Sequence, residues 1–111
     1  MAERLTVYFD FLCPFSWRAA EVLELAAEPL DLEVSWQHFS IYQFNYERVH
    51  SGGGNGRWQL WNDRLDNSDG NGCKGLLPFL ASQAARQQGP EAHHSFRLEL
   101  QRAVHRDYRP L

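Results

Sequence analysis

Between Leu5 and Phe39 the chain changes its hydrophobic period twice, and that leaves few folds open. Leu5, Val7, Phe9 and Phe11 alternate with Thr6, Tyr8 and Asp10, and both sets are largely apolar or aromatic. This is the pattern of a strand covered on both faces. Pro14 follows where a helix can begin, since the N–H it lacks would be unpaired in a first turn anyway. Phe15, Ala19, Val22, Leu23 and Ala26 then recur at helical spacing in a run rich in Ala, Glu and Leu that Pro29 ends. From Leu32 to Phe39 a second alternation sets Leu32, Val34, Trp36 and His38 against Glu33, Ser35, Gln37 and Phe39, which predicts a second strand. Strand, helix and strand in about 35 residues make a β-α-β unit, with parallel strands and a right-handed crossover expected.

In open α/β sheets the ligand site lies beyond the carboxyl ends of the strands. The stretch FDFLCPFSW, Phe9 to Trp17, falls there, with Cys13 at the join of strand and helix. The thiolate is the nucleophilic form of cysteine, and the dipole and unpaired N–H groups of a helix N-terminus favour it. Ser16 stands where a second cysteine would complete Cys-x-x-Cys. Its hydroxyl can donate to the sulfur across the first turn, but it cannot attack a mixed disulfide, so an external thiol must resolve that intermediate. On position alone Cys13 could equally be a small buried residue that ends a strand. Asp10 reads either as a proton relay under the thiol or as an acid closing the strand. His38 reads as a neighbour of the thiol or as a partly buried structural histidine.

The composition changes from Asn45 to Gly75, where seven of the eight glycines fall between Gly52 and Gly75. A long loop region is predicted, with one short turn placing Trp58 and Trp61 three apart. Helices are expected from Leu76 to Gln88 and from Glu91 to His105, broken at Gly89-Pro90. The tryptophans, Trp17, Trp36, Trp58 and Trp61, are expected mostly in the core, with Trp17 also able to border a substrate groove. Cys73, in SDGNGCKG, is expected on an exposed loop as a bystander thiol. Calcium is rejected there, because taking Gly70 or Gly72 as position six puts Leu76 or Pro78 where an EF-hand needs a carboxylate. The histidines lack metal-ligand spacing, and no metal site is expected.

With 43% hydrophobic residues a chain of 111 residues can build a core, and one domain at most is expected. A net charge of −3 argues against nucleic acid. The N-terminus lacks the features of a secretory signal, no window reaches a membrane span, and two cysteines make no disulfide framework. A cytoplasmic protein with free thiols is expected. Two strands are too few for a stable sheet, so either the chain is part of a larger protein or another chain, a second copy included, completes the sheet.

FDFLCPFSW, after a first strand and opening a helix, resembles the DsbA-like branch of the thioredoxin superfamily. Within that branch it is similar to the group of cytoplasmic DsbA-like oxidoreductases, kappa-class glutathione transferases and hydroxychromene-carboxylate isomerases. Cys13 matches the nucleophile of the oxidoreductases, whose motif is Cys-Pro-x-Cys, while Phe15, Ser16 and Trp17 look like the transferase side. The run GLLPFLASQAARQQGPEAHHSFRLELQRAVHR looks like the start of the helical insert of this group. Family members then return to a hairpin preceded by a cis-proline beside the sulfur. Here Pro29, Pro78, Pro90 and Pro110 precede no strand pattern.

The resemblance implies an α/β fold: a thioredoxin-like β-α-β unit with an incomplete sheet over residues 1–44, a loop region over 45–75, and a partial helical insert over 76–111. It implies a thiol–disulfide oxidoreductase in which Cys13 and Ser16 are catalytic and Pro14, Phe15 and Trp17 contact substrate. The partners implied are protein or small-molecule disulfides, with glutathione as the external thiol and no bound cofactor. The alternatives are a kappa-like glutathione transferase or isomerase, and a non-catalytic domain that pairs with another chain.

Overall fold

The computed structural model describes residues 2–50 and 58–111; the part of the expected loop at 51–57 lies outside them. The chain runs β1 (Glu3–Phe9), α1 (Pro14–Ala26), β2 (Leu32–His38), α2 (Ile41–His50), a 3-10 turn (Leu60–Asn62), α3 (Leu76–Gln87) and α4 (Pro90–His105). The strands are parallel, in register from Glu3 opposite Leu32 to Phe9 opposite His38. The architecture is α/β, a β-α-β unit whose sheet has two strands among the described residues, followed by helices, in line with the partial thioredoxin-like fold expected.

The helices begin where local chemistry allows. Cys13 is the extended N-cap residue of α1 and Pro14 occupies its first turn. Pro90 opens α4 in the same way after Gly89, whose φ of 127° suits glycine. The core gathers at the carboxyl ends of the strands, where Phe9, Phe11 and Trp36 pack with Ala20 of α1 and Leu98 of α4. The Phe9 ring meets Phe11 and Trp36 edge to face, at 5.0 and 5.7 Å.

Four features depart from expectation. First, β1 is not covered on both faces: only Phe9 is buried, and Tyr8 is 68% exposed. The face carrying Arg4, Thr6 and Tyr8 continues across the register into Glu33, Ser35 and Gln37, so it is polar apart from Tyr8 and stays in solvent. Second, the stretch expected to be loop from Asn45 begins as α2, which runs through His50. Its N-terminus is capped by Ser40 Oγ, which accepts from Gln43 N–H at 3.1 Å, and by Asp10 Oδ2, which accepts from Ile41 N–H at 3.0 Å.

Third, Cys73 is buried, with 4% of its surface exposed, against Leu60 and Leu76. The loop is wound around Asn67, whose Oδ1 accepts from Gly72 and Cys73 N–H at 2.6 and 3.1 Å. Gly72 has φ of 67°, and a Cβ there would come within 2.9 Å of Pro78 Cδ. Fourth, Trp61 lies largely in solvent, its ring edge against Phe79, while Trp58 packs beside Leu60.

One polar cluster is built into the core. Arg97, 1% exposed, stacks its guanidinium over Trp36 at 3.7 Å and donates to Gln101 Oε1 at 2.9 Å. Its Nη2 donates to His94 Nδ1 at 3.2 Å, so the His94 proton sits on Nε2, facing Glu24. Burial pushes the Arg97 guanidinium down to about 10, opposed by the nearby Glu24.

Candidate functional site

The strand-to-helix turn at Asp10–Cys13 is held from four directions. Asp10 is 1% exposed; its Oδ1 accepts from Leu12 N–H at 3.0 Å, while Oδ2 reaches Ile41 as described. Its carbonyl accepts from Cys13 N–H at 3.0 Å, closing a tight turn. From α1, Ser16 Oγ accepts from Asp10 N–H at 3.3 Å. From α3, Gly75 comes so close that a Cβ there would lie 3.1 Å from Asp10 Oδ1, and its φ of 87° further restricts the position to glycine. From α4, His105 Nε2–H donates to Phe11 O at 2.7 Å; a carbonyl can only accept, so the ring proton is on Nε2. The acid that read as either relay or strand cap is a cap that joins β1, the Cys13 turn and α2.

Cys13 itself is half-buried, with a free thiol, and no side-chain hydrogen bond caps the helix at that position. Pro14 occupies the first turn of α1. Phe15 projects into solvent at 82% exposure. Ser16 faces back to Asp10. Trp17 lies between α1 and α4: its ring stacks on His105 with centroids 6.2 Å apart, and its Nε1–H donates to Glu21 at 3.1 Å. Glu21 also accepts from Arg102 Nε at 2.6 Å, and that hydrogen bond chiefly holds its carboxyl below the ordinary range.

His38 forms no hydrogen bond to this network. Its ring packs edge to face on Phe79 at 4.2 Å, and its buried Nε2 has no protein partner. Burial pushes it down, against the pull of Asp10. A cavity of about 470 Å³ opens over the sheet between Leu5, Val34, Trp36, Arg86 and His93, and Cys13 does not line it. The thiol therefore sits at an open helix end rather than in that pocket. Among the described residues no cluster of three or more His, Cys, Asp or Glu could hold a metal ion, and all peptide bonds are trans. No helix among them is long and apolar enough to cross a membrane.

Residues 4–50 match the family model of the DSBA-like thioredoxin domain. Over that segment the chain is similar to the DSBA-like thioredoxin domain. The matched residues take in β1, the Cys13 turn, α1, β2 and α2, the part of the chain that carries FDFLCPFSW. Searches of curated proteins and of solved structures gave no match. The family and the placement of Cys13 at the first strand-to-helix turn agree with the reading of the sequence. Two contributors to the turn were not legible there, His105 and Gly75. Both arrive from distant positions, and local spacing carries no signal for either.

Proposed function

We propose that this DsbA-like protein is a single-thiol oxidoreductase acting on disulfides. The observation that carries the reading is the half-exposed Cys13 thiol at the uncapped N-terminus of α1, on a turn fixed from several elements. In the first step the Cys13 thiolate attacks one sulfur of a disulfide RS–SR′. A bond forms from Cys13 Sγ to RS, and R′S⁻ leaves and takes up a proton. In the second, the thiolate of an external thiol, glutathione in class, attacks the RS sulfur of that mixed disulfide. RS–SG is released and Cys13 returns as thiolate; a second round on RS–SG releases RSH and then GSSG, so the two electrons come from two molecules of the external thiol. Ser16 is within the first helical turn and supports the sulfur charge; Pro14, Phe15 and Trp17 frame the approach, with Phe15 the most exposed apolar contact. The reducing supply this needs fits the cytoplasm.

The test is glutathione-dependent reduction of hydroxyethyl disulfide by the whole chain, alongside conjugation of glutathione to chlorodinitrobenzene. The reading requires disulfide turnover that Cys13→Ser abolishes and Cys73→Ala leaves within about twofold, given that Cys73 is buried away from solvent. Conjugation without disulfide turnover overturns it in favour of the transferase class, and neither activity overturns it in favour of a non-catalytic domain.

A further inference from the structure

The free edge of β1 is shaped for one particular partner. Glu3 N–H donates to Asp31 O at 3.1 Å and Phe9 O accepts from Phe39 N–H at 2.7 Å, so the odd-numbered residues of β1 turn their backbone groups toward β2. The register is continuous, and along a strand these groups alternate sides. Arg4, Thr6 and Tyr8 therefore direct their N–H and C=O outward, and among the described residues nothing pairs with them. The outer edge of β2 is different: Arg86 Nη2 of α3 donates to Trp36 O at 3.4 Å and blocks it at mid-strand. On β1 the side chains leave the edge open, with Arg4, Leu5, Thr6 and Tyr8 all exposed. The strand has no proline and no bulge of the kind that blunts edges, and its charged residues, Glu3 and Arg4, stand at its N-terminal end.

We propose that this edge pairs antiparallel with β1 of a second copy of the chain, about a two-fold axis through Thr6. In that register Thr6 faces Thr6 and Arg4 faces Tyr8 on either side, and each of these three outward pairs exchanges two backbone hydrogen bonds. Sliding the pairing by two residues either way loses one of the three, and sliding by one sets outward groups against inward ones. The side chains agree with the same register. Leu5 falls opposite Val7, and Glu3 opposite Phe9, so no like charges oppose. The Arg4 guanidinium meets the exposed Tyr8 ring of the other chain on the polar face, a favourable cation–π pair. The result is a continuous sheet of order β2-β1-β1-β2, four strands where the described residues of one chain form two.

The decisive experiment uses the unmodified chain. Amide exchange is followed residue by residue at about 5 μM and about 500 μM protein, with sedimentation at the same concentrations. Dimer should appear at the higher concentration, and exchange at Arg4, Thr6 and Tyr8 should slow by about tenfold or more, while Leu5 and Val7, already bonded to β2, change little. Thr6→Pro removes the central outward N–H without touching the bonds to β2, so it should abolish the dimer and leave far-ultraviolet dichroism unchanged. Unchanged exchange at all three outward amides overturns the proposal, as does equal slowing at odd and even residues. A dimer that persists in Thr6→Pro overturns it as well.

Discussion

Replacing Asp10 is the sharpest test of how the Cys13 turn is held. Its two carboxyl oxygens serve two different segments, Leu12 N–H of the turn and Ile41 N–H at the start of α2, at 3.0 Å each. Asp10→Ala leaves both donors without an acceptor in partly buried positions. A buried donor left unsatisfied costs about 1–3 kcal/mol, so the loss should be about 2–5 kcal/mol. Asp10→Asn keeps one acceptor and turns an N–H₂ group toward the other donor, so it should lose about half as much. Asp69 supplies the control. Its Oδ1 accepts from Asn71 N–H at 3.1 Å in an exposed turn, and Asp69→Ala should cost under about 1 kcal/mol because water replaces the carboxyl. Urea unfolding followed by circular dichroism ranks the three variants, and exchange at the Ile41 amide locates the damage in α2. If Asp10→Ala costs no more than Asp69→Ala, the carboxyl does not join these segments and the reasoning fails.

Other predictions concern the thiols, pH and the polar cluster. In the folded chain Cys13 should be alkylated at least about tenfold faster than Cys73, which is buried, and the two rates should converge in urea, as read by peptide mass spectrometry. Burial pushes His38 and His93 below the ordinary histidine value of 6.5. The unfolded chain then binds protons that the folded chain does not, so stability should be flat above pH 6.5 and fall below it. His38→Leu should flatten this fall in urea titrations at stepped pH. Arg97 Nε and Gln101 Nε2 are buried without protein partners. Arg97→Met with Gln101→Leu should therefore be within about 1 kcal/mol of the parent or more stable, whereas Arg97→Ala alone should cost about 3–5 kcal/mol, both by urea unfolding.

What could be read in advance was what neighbouring residues decide. The alternations of Leu5–Phe11 and Leu32–Phe39, with Pro14 between them, specify β1, α1 and β2, and Pro78 in a first helical turn with the break at Gly89-Pro90 fixes α3 and α4 to within a residue or so. The rest depends on contacts between distant positions. α2 is hard to see in a stretch rich in aromatics, because part of its cap is Asp10, 31 residues earlier. Cys73 is buried because Asn67 folds a glycine-rich loop around itself, and composition alone reads such a loop as exposed. The polar face of β1 and β2 becomes visible only once the register aligns Thr6 with Ser35 and Tyr8 with Gln37. At the site, sequence places Cys13, Pro14 and Ser16, but not the grip of His105 on Phe11, 94 residues apart.

The claim that Cys13 is a working thiol is tested most directly by trapping its first intermediate. The chain is exposed to oxidised glutathione at neutral pH, quenched in acid, and digested for mass spectrometry. The account predicts one glutathione adduct, on Cys13, that forms faster than on a small free thiol and is released by reduced glutathione. No adduct on Cys13, or one that forms no faster than on the buried Cys73, contradicts it.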